Sequence, residues 1–219
     1  MFKGKTRPPQ VEMNKNEVIE KIREMRIIPV IRTESAEKAK LVVEALVKGG
    51  INILEITMTI PGAVELIAEL DDKYKAATII GAGTVLDQKT ARRCVEAGAK
   101  FVVSPILNAE IISFCNKSEI AVMPGALTPS EIYAARENGA DLVKVFPASA
   151  AGGASYLKAL KAVFPNIELI PTGGVTLENA VDYLKAGAFA VGIGGELTKD
   201  KEATITKNAR NLLDEINGK

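Results

Sequence analysis

Short apolar runs recur along the chain at nearly even intervals. They are IIPVI from Ile27, INILEIT from Ile51, TIIGAG from Thr78, FVVSP from Phe101, IAVMPG from Ile120, LVKVFP from Leu142, IELIPTGG from Ile167 and FAVGIGG from Phe189. They are spaced by roughly 20–27 residues, the signature of a repeated supersecondary unit. Most are rich in Val and Ile and apolar at consecutive positions, as strands buried on both faces should be.

The intervening segments carry the helical period. SAEKAKLVVEALVKGG sets Ala36, Ala39, Val43 and Leu46 on one face, and Pro61 suits a first helical turn before AVELIAELDDKY. Asp87, Asn108, Thr128 and Thr176 occupy N-cap positions, and Gly49, Gly98, Gly139 and Gly187 stand where helices should close. One further helix precedes the first strand (15–25) and another follows the last (201–216). Strand then helix, eight times over, predicts an α/β protein, a (β/α)8 TIM barrel with an extra N-terminal helix. A doubly wound open sheet competes, but eight evenly spaced units suit closure. No linker divides the chain, so residues 13–219 read as a single domain behind a flexible leader at 1–12.

Composition narrows the chemistry. Lys and Arg total 28 against 27 Asp and Glu, so the basic surplus of a nucleic-acid partner is missing. No apolar run reaches the roughly 18–20 residues of a membrane span. Histidine is absent, which removes Ser-His-Asp and Cys-His nucleophiles and His-ligated metals. Cys94 and Cys115 form no CxxC pair; so few cysteines point to a reducing compartment, hence the cytoplasm.

Charges that interrupt the strands are then the natural candidates, because a buried charge is costly unless it is paired. In LVKVFP, Val143 and Val145 should face the helices, which turns Lys144 into the lumen with Leu142 and Phe146. An amine enclosed there loses the hydration that favours its charge, and the neutral amine attacks carbonyls to form a Schiff base. The alternative is a structural lysine paired with Glu55. In ILEIT the same alternation turns Glu55 inward, as a general acid/base or as the counter-ion of Lys144 or Arg32. Arg32 closes the first strand, either as a fork for a carboxylate or phosphate or as an exposed strand-end arginine.

The glycine-rich links add a second site element. PTGGVT carries Thr172, Gly173 and Gly174, and GIGGEL carries Gly194 and Gly195. These follow the seventh and eighth strands, where barrels of this type bind phosphate through backbone N–H groups. GAGTV leaves room for a ligand, with Thr84 as a hydroxyl donor or simply as part of a turn.

In order, PVIR, LEIT, IGAGTVL, VSP, PGALTPSE, LVKVFPA, PTGGV and VGIGG resemble the bacterial 2-keto-3-deoxy-6-phosphogluconate (KHG/KDPG) aldolases, from about Ile27 to the C-terminus. The resemblance implies a class I lyase that needs no metal or other cofactor. It implies Lys144 as the Schiff-base lysine, Glu55 as the acid/base, and Thr84 and Pro105 at the carboxylate end of the pyruvate unit. Phe146 is the aromatic after the lysine, Arg32 matches an arginine of part of the family, and Gly173, Gly174, Gly194 and Gly195 match its phosphate loops. The implied partners are a small 2-keto acid and a phosphorylated aldehyde, on a homotrimer. The expected reaction cleaves 2-dehydro-3-deoxy-6-phosphogluconate to pyruvate and glyceraldehyde 3-phosphate, with 4-hydroxy-2-oxoglutarate cleavage beside it. The galactonate epimer, or a non-catalytic phosphosugar-binding barrel, is the alternative. One departure stands out: Glu196 follows the second Gly pair where some members carry Ser. It must either turn away from the phosphate or alter the substrate preference.

Overall fold

A computed structural model describes residues 13–218, so the leader expected at 1–12 lies outside the described residues. Helix α1 (Lys15–Met25) falls where its pattern predicts. Asn14 accepts the Glu17 N–H while the Glu17 carboxylate accepts the Asn14 N–H. That pairing satisfies amides which a helix start leaves without partners. Strand and helix then alternate as β1 (Ile27–Ile31), α2 (Ala36–Lys48), β2 (Ile53–Thr57), α3 (Ala63–Tyr74), β3 (Ile79–Gly83), α4 (Gln88–Glu96), β4 (Phe101–Val103) and α5 (Ala109–Lys117). Next come β5 (Ala121–Met123), β6 (Gly125–Ala126), α6 (Pro129–Glu137), β7 (Val143–Val145), α7 (Gly153–Val163), β8 (Leu169–Pro171) and α8 (Ala180–Lys185). The chain closes with β9 (Val191–Ile193), α9 (Gly195–Thr198) and α10 (Glu202–Ile216).

All pairings between these strands are parallel. They form one ladder in the order β5-β4-β3-β2-β1-β9 and a second in the order β6-β7-β8. Pro124, which has no N–H to donate, divides the fifth apolar run into β5 and β6. A bridge between Thr172 and Gly192 joins the end of β8 to β9. The eight-stranded expectation thus appears as an α/β fold of two parallel ladders, linked at Pro124 and at this bridge.

The uniformly apolar runs resolve into two sets with a period of two. Ile27, Leu54, Ile56, Ile80, Val102, Val122, Val143, Val145, Leu169 and Val191 pack outward in the cluster that holds the buried faces of the helices. Ile28, Ile53, Ile79, Phe101, Met123, Leu142 and Ile170 pack inward in a second cluster. Val18 and Ile22 of α1 belong to this inner cluster, so α1 covers the end of the strands opposite the site described below.

Local details differ from expectation in three places. Pro61 lies ahead of α3, whose N-cap is Gly62 at φ 71°. Gly49 closes α2 as its C-cap, as expected, but in a right-handed conformation (φ −76°), and the left-handed residue is Gly50 (φ 97°). Gly49 is required for close approach instead, since a Cβ there would overlap Ala209 of α10. The Thr176 hydroxyl accepts the Asn179 N–H and starts a turn, while Asn179 caps α8. The other three caps, Asp87, Asn108 and Thr128, each accept backbone N–H groups as predicted.

Replacing Ile22 with Ala removes a fully buried side chain from the inner cluster. We expect urea unfolding to remain cooperative and stability to fall by about 2–5 kcal/mol. A loss well under about 1 kcal/mol would mean that α1 is not part of that core.

Candidate active site

Lys144 lies at the centre of β7, between Val143 and Val145, which pack outward. Glu55 lies at the centre of β2, between Leu54 and Ile56, which do the same. The alternation therefore turns both charges inward, and they are only 5% and 3% exposed. Although β2 and β7 belong to different ladders, Lys144 Nζ and Glu55 Oε1 are 4.0 Å apart. This is a charge-pair distance and is too long for a hydrogen bond. Glu55 Oε1 is buried with no hydrogen-bond partner among the described residues. Burial pushes the Glu55 carboxyl above the ordinary carboxylate range, and the Lys144 and Arg32 cations oppose that rise. Lys144 Nζ also stands 5.2 Å from the centre of the Phe146 ring, within cation–π reach.

The neighbouring strand makes the space that Glu55 occupies. In the β2–β3 register Glu55 pairs with Gly81 and Thr57 with Gly83. A Cβ on Gly83 would overlap the Glu55 carboxyl group. Gly83 of IGAG is thus needed as much for the glutamate as for any ligand, whereas a Cβ on Gly81 would overlap the Phe101 ring. Gly192 does the same for the Thr172 side chain.

Above this pair, at the C-terminal ends of the strands, opens a cavity of about 270 Å³. Arg32, Thr84, Pro105, Lys144, Phe146, Thr172, Gly173, Gly174, Gly194 and Gly195 all line it, so every residue selected from the sequence except Glu55 meets there. Glu55 lies just beneath, reached through Lys144. Thr84 holds φ 57°, a costly conformation for a β-branched residue. Gly173 and Gly174 are both left-handed (φ 85° and 79°), a pair of conformations that glycine adopts readily. Their loop is tied to the β7 side: Ala148 and Ser149 donate N–H bonds to the Thr172 and Gly173 carbonyls.

Glu196 turns away from the cavity. Its carboxylate accepts the Leu177 N–H at 2.8 Å and lines a neighbouring depression with Asp200 and Asn208. Val30, Thr198 and Lys199 also line the cavity, and sequence reasoning did not select them. Val30 follows from the alternation set by Ile28. Thr198 and Lys199 carry no such signal, because the short helix α9 that delivers them has no periodicity to read.

Both cysteines are buried, and burial pushes their thiols up to about 11 for Cys94 and about 12 for Cys115. Neither offers a thiolate nucleophile near neutral pH. No helix among the described residues is long and apolar enough to cross a membrane.

The family model for aldolases of the KDPG and KHG type matches residues 18–213. A 2-dehydro-3-deoxy-phosphogluconate aldolase from Pseudomonas aeruginosa is 41% identical over 162 residues, covering 74% of this chain and 73% of that protein. The crystal structure of a KDPG aldolase from Legionella pneumophila, with pyruvate captured as a covalent carbinolamine, superposes with a TM-score of 0.82 at 33% identity. The match covers 91% of this chain and 98% of that one. A 2-keto-3-deoxy-6-phosphogluconate aldolase from Zymomonas mobilis, solved with 3-phosphoglycerate, gives 0.81 at 34% identity over 89% and 94% of the two chains. With its motifs in order, its fold matched over 91% of the chain and the family model spanning residues 18–213, this chain belongs to the KDPG and KHG aldolases.

Proposed function

We propose that the protein is a class I aldolase. It reversibly cleaves 2-dehydro-3-deoxy-6-phosphogluconate to pyruvate and glyceraldehyde 3-phosphate, and 4-hydroxy-2-oxoglutarate to pyruvate and glyoxylate. The observation that carries this conclusion is the enclosed amine of Lys144, 4.0 Å from a carboxylate oxygen with no other partner. A carbon bonded to Nζ brings its own hydroxyl within reach of that oxygen.

In this mechanism neutral Lys144 attacks the C2 ketone. Glu55 protonates the carbinolamine oxygen, water leaves, and an iminium forms. Glu55, now a carboxylate, takes the C4 hydroxyl proton through a water. The C3–C4 bond breaks, its electron pair enters the iminium, and the aldehyde departs. The enamine is protonated at C3 and hydrolysed to pyruvate and free Lys144. Thr84 and Pro105 border the carboxylate end, Phe146 stands beside the amine, and Arg32, Thr172 and the paired glycines receive the phosphate. The raised proton affinity of Glu55 suits a group that must first give a proton and then take one.

The surrounding architecture on this proposal is one (β/α)8 barrel in a single domain over residues 13–219. The Thr172–Gly192 bridge and the inner cluster drawn from both ladders support closure. A cytoplasmic homotrimer accords with the family. A silent phosphosugar-binding barrel would instead bind such compounds without turnover.

Incubation with pyruvate and sodium borohydride should add a reduced pyruvyl group to the Lys144 peptide, read by mass spectrometry. An unmodified peptide would end the Schiff-base mechanism. Lys144→Ala should fold and show no turnover, and Glu55→Gln should lose roughly 10²–10⁴-fold in kcat. Separate assays of the gluconate and galactonate epimers decide between those substrates.

The Glu55 carboxyl should titrate above the ordinary carboxylate range in a carbon-detected NMR titration. It should rise further in Lys144→Met, which removes the nearer opposing cation. A wild-type midpoint at or below the ordinary range would contradict its assignment as a proton donor.

A further inference from the structure

The cavity is electrically lopsided. Arg32 and Lys199 both line it, and no Asp or Glu does so among the described residues. Neither cation has an ion-pair partner there. Both lie on the same side: Arg32 follows β1, Lys199 follows β9 through α9, and β1 pairs with β9. The Thr84 and Pro105 side carries no charge. Two carboxylates near Lys199 in sequence, Glu196 and Asp200, line the neighbouring depression, which Lys199 borders too. Asp200 accepts the Lys201 N–H, and Glu196 is held by its bond to the Leu177 N–H. That bond also ties the segment after PTGGV to α9, from which Lys199 emerges.

We propose that Lys199 is a specificity-determining residue, the second cation that lets the site prefer a phosphorylated substrate over an unphosphorylated one. Glu196 is a positioning residue that keeps α9, and so Lys199, at the cavity wall. A phosphate monoester carries about −1.5 to −2 charges at neutral pH, more than Arg32 alone neutralises. An unphosphorylated 2-keto acid has no such group at that end and gains little from Lys199. This assignment rests on the aldolase mechanism proposed above, but its physical content is an anion site that can be probed without turnover.

The test uses Lys199→Met, which keeps most of the stem and removes the charge, with Lys199→Arg as the conservative control. In thermal unfolding with added inorganic phosphate, Lys199→Met should need roughly tenfold more phosphate for half-maximal stabilisation, and Lys199→Arg should restore the response. In kinetics, the ratio of kcat/KM for the phosphorylated substrate to that for 4-hydroxy-2-oxoglutarate should fall roughly tenfold, carried by KM rather than kcat. If the phosphate midpoint and the ratio both stay within about twofold of wild type, the proposal is overturned. If wild-type protein cleaves neither substrate while the phosphate response still depends on Lys199, the aldolase mechanism fails and the anion site stands.

Discussion

Enclosing an amine and a carboxylate together, without letting them meet, is the constraint on which the site depends. Either charge alone in the inner space would cost several kcal/mol of lost hydration. Together at 4.0 Å they attract, yet no hydrogen bond saturates the Glu55 oxygen. The pair is therefore tolerable and still reactive. The rest of the fold maintains this state. Val143, Val145, Leu54 and Ile56 anchor the two strands in the outer cluster, so neither charge can swing out without burying fewer apolar groups. Gly83 leaves the volume that the carboxyl group fills. The inner cluster, with Val18 and Ile22 of α1, packs the opposite end, so the cavity opens at the C-terminal ends of the strands.

Charge is distributed along the cavity with the same economy. One side carries Arg32, Lys199 and glycine amides; the other carries a hydroxyl and a proline ring. A molecule with a dianion at one end and a ketoacid at the other can enter in only one favourable direction. On the proposed mechanism that direction sets its ketone over Lys144. Orientation then follows from electrostatics and needs no moving part.

Much of this was legible in the sequence because a period of two converts position into direction. Once LVKVFP and ILEIT are read as strands, their flanking aliphatic residues decide which way Lys144 and Glu55 point. Caps such as Asp87 and Thr128 were legible for a similar reason, since a short side chain bonding an amide three residues on is a local event. What escaped was non-local or irregular. Gly49 does end its helix, but the need for glycine there arises from Ala209, far along the chain. Pro124 splits a run that reads as one strand. Lys199 reaches the cavity because a four-residue helix turns the chain there, and nothing in LTKDK announces that turn. Glu196 posed a clear question, phosphate repulsion or retreat, that only the Leu177 N–H could answer.

The Glu55 carboxyl also sets a tension between stability and chemistry. Its proton affinity in the folded protein lies above that in the unfolded chain, chiefly through burial. A carboxyl shifted in this direction is bound to its proton more tightly when folded. Its favourable contribution is complete below the unfolded value and is lost as the pH rises through the folded one. Once ionised, the buried group weakens the fold, and the Lys144 and Arg32 cations lessen that cost without removing it. An apolar residue at position 55 would suit the core better by this measure, yet it would leave the amine with no group to shuttle protons. On the proposed mechanism the glutamate is thus better explained by the proton it exchanges than by any stability it confers.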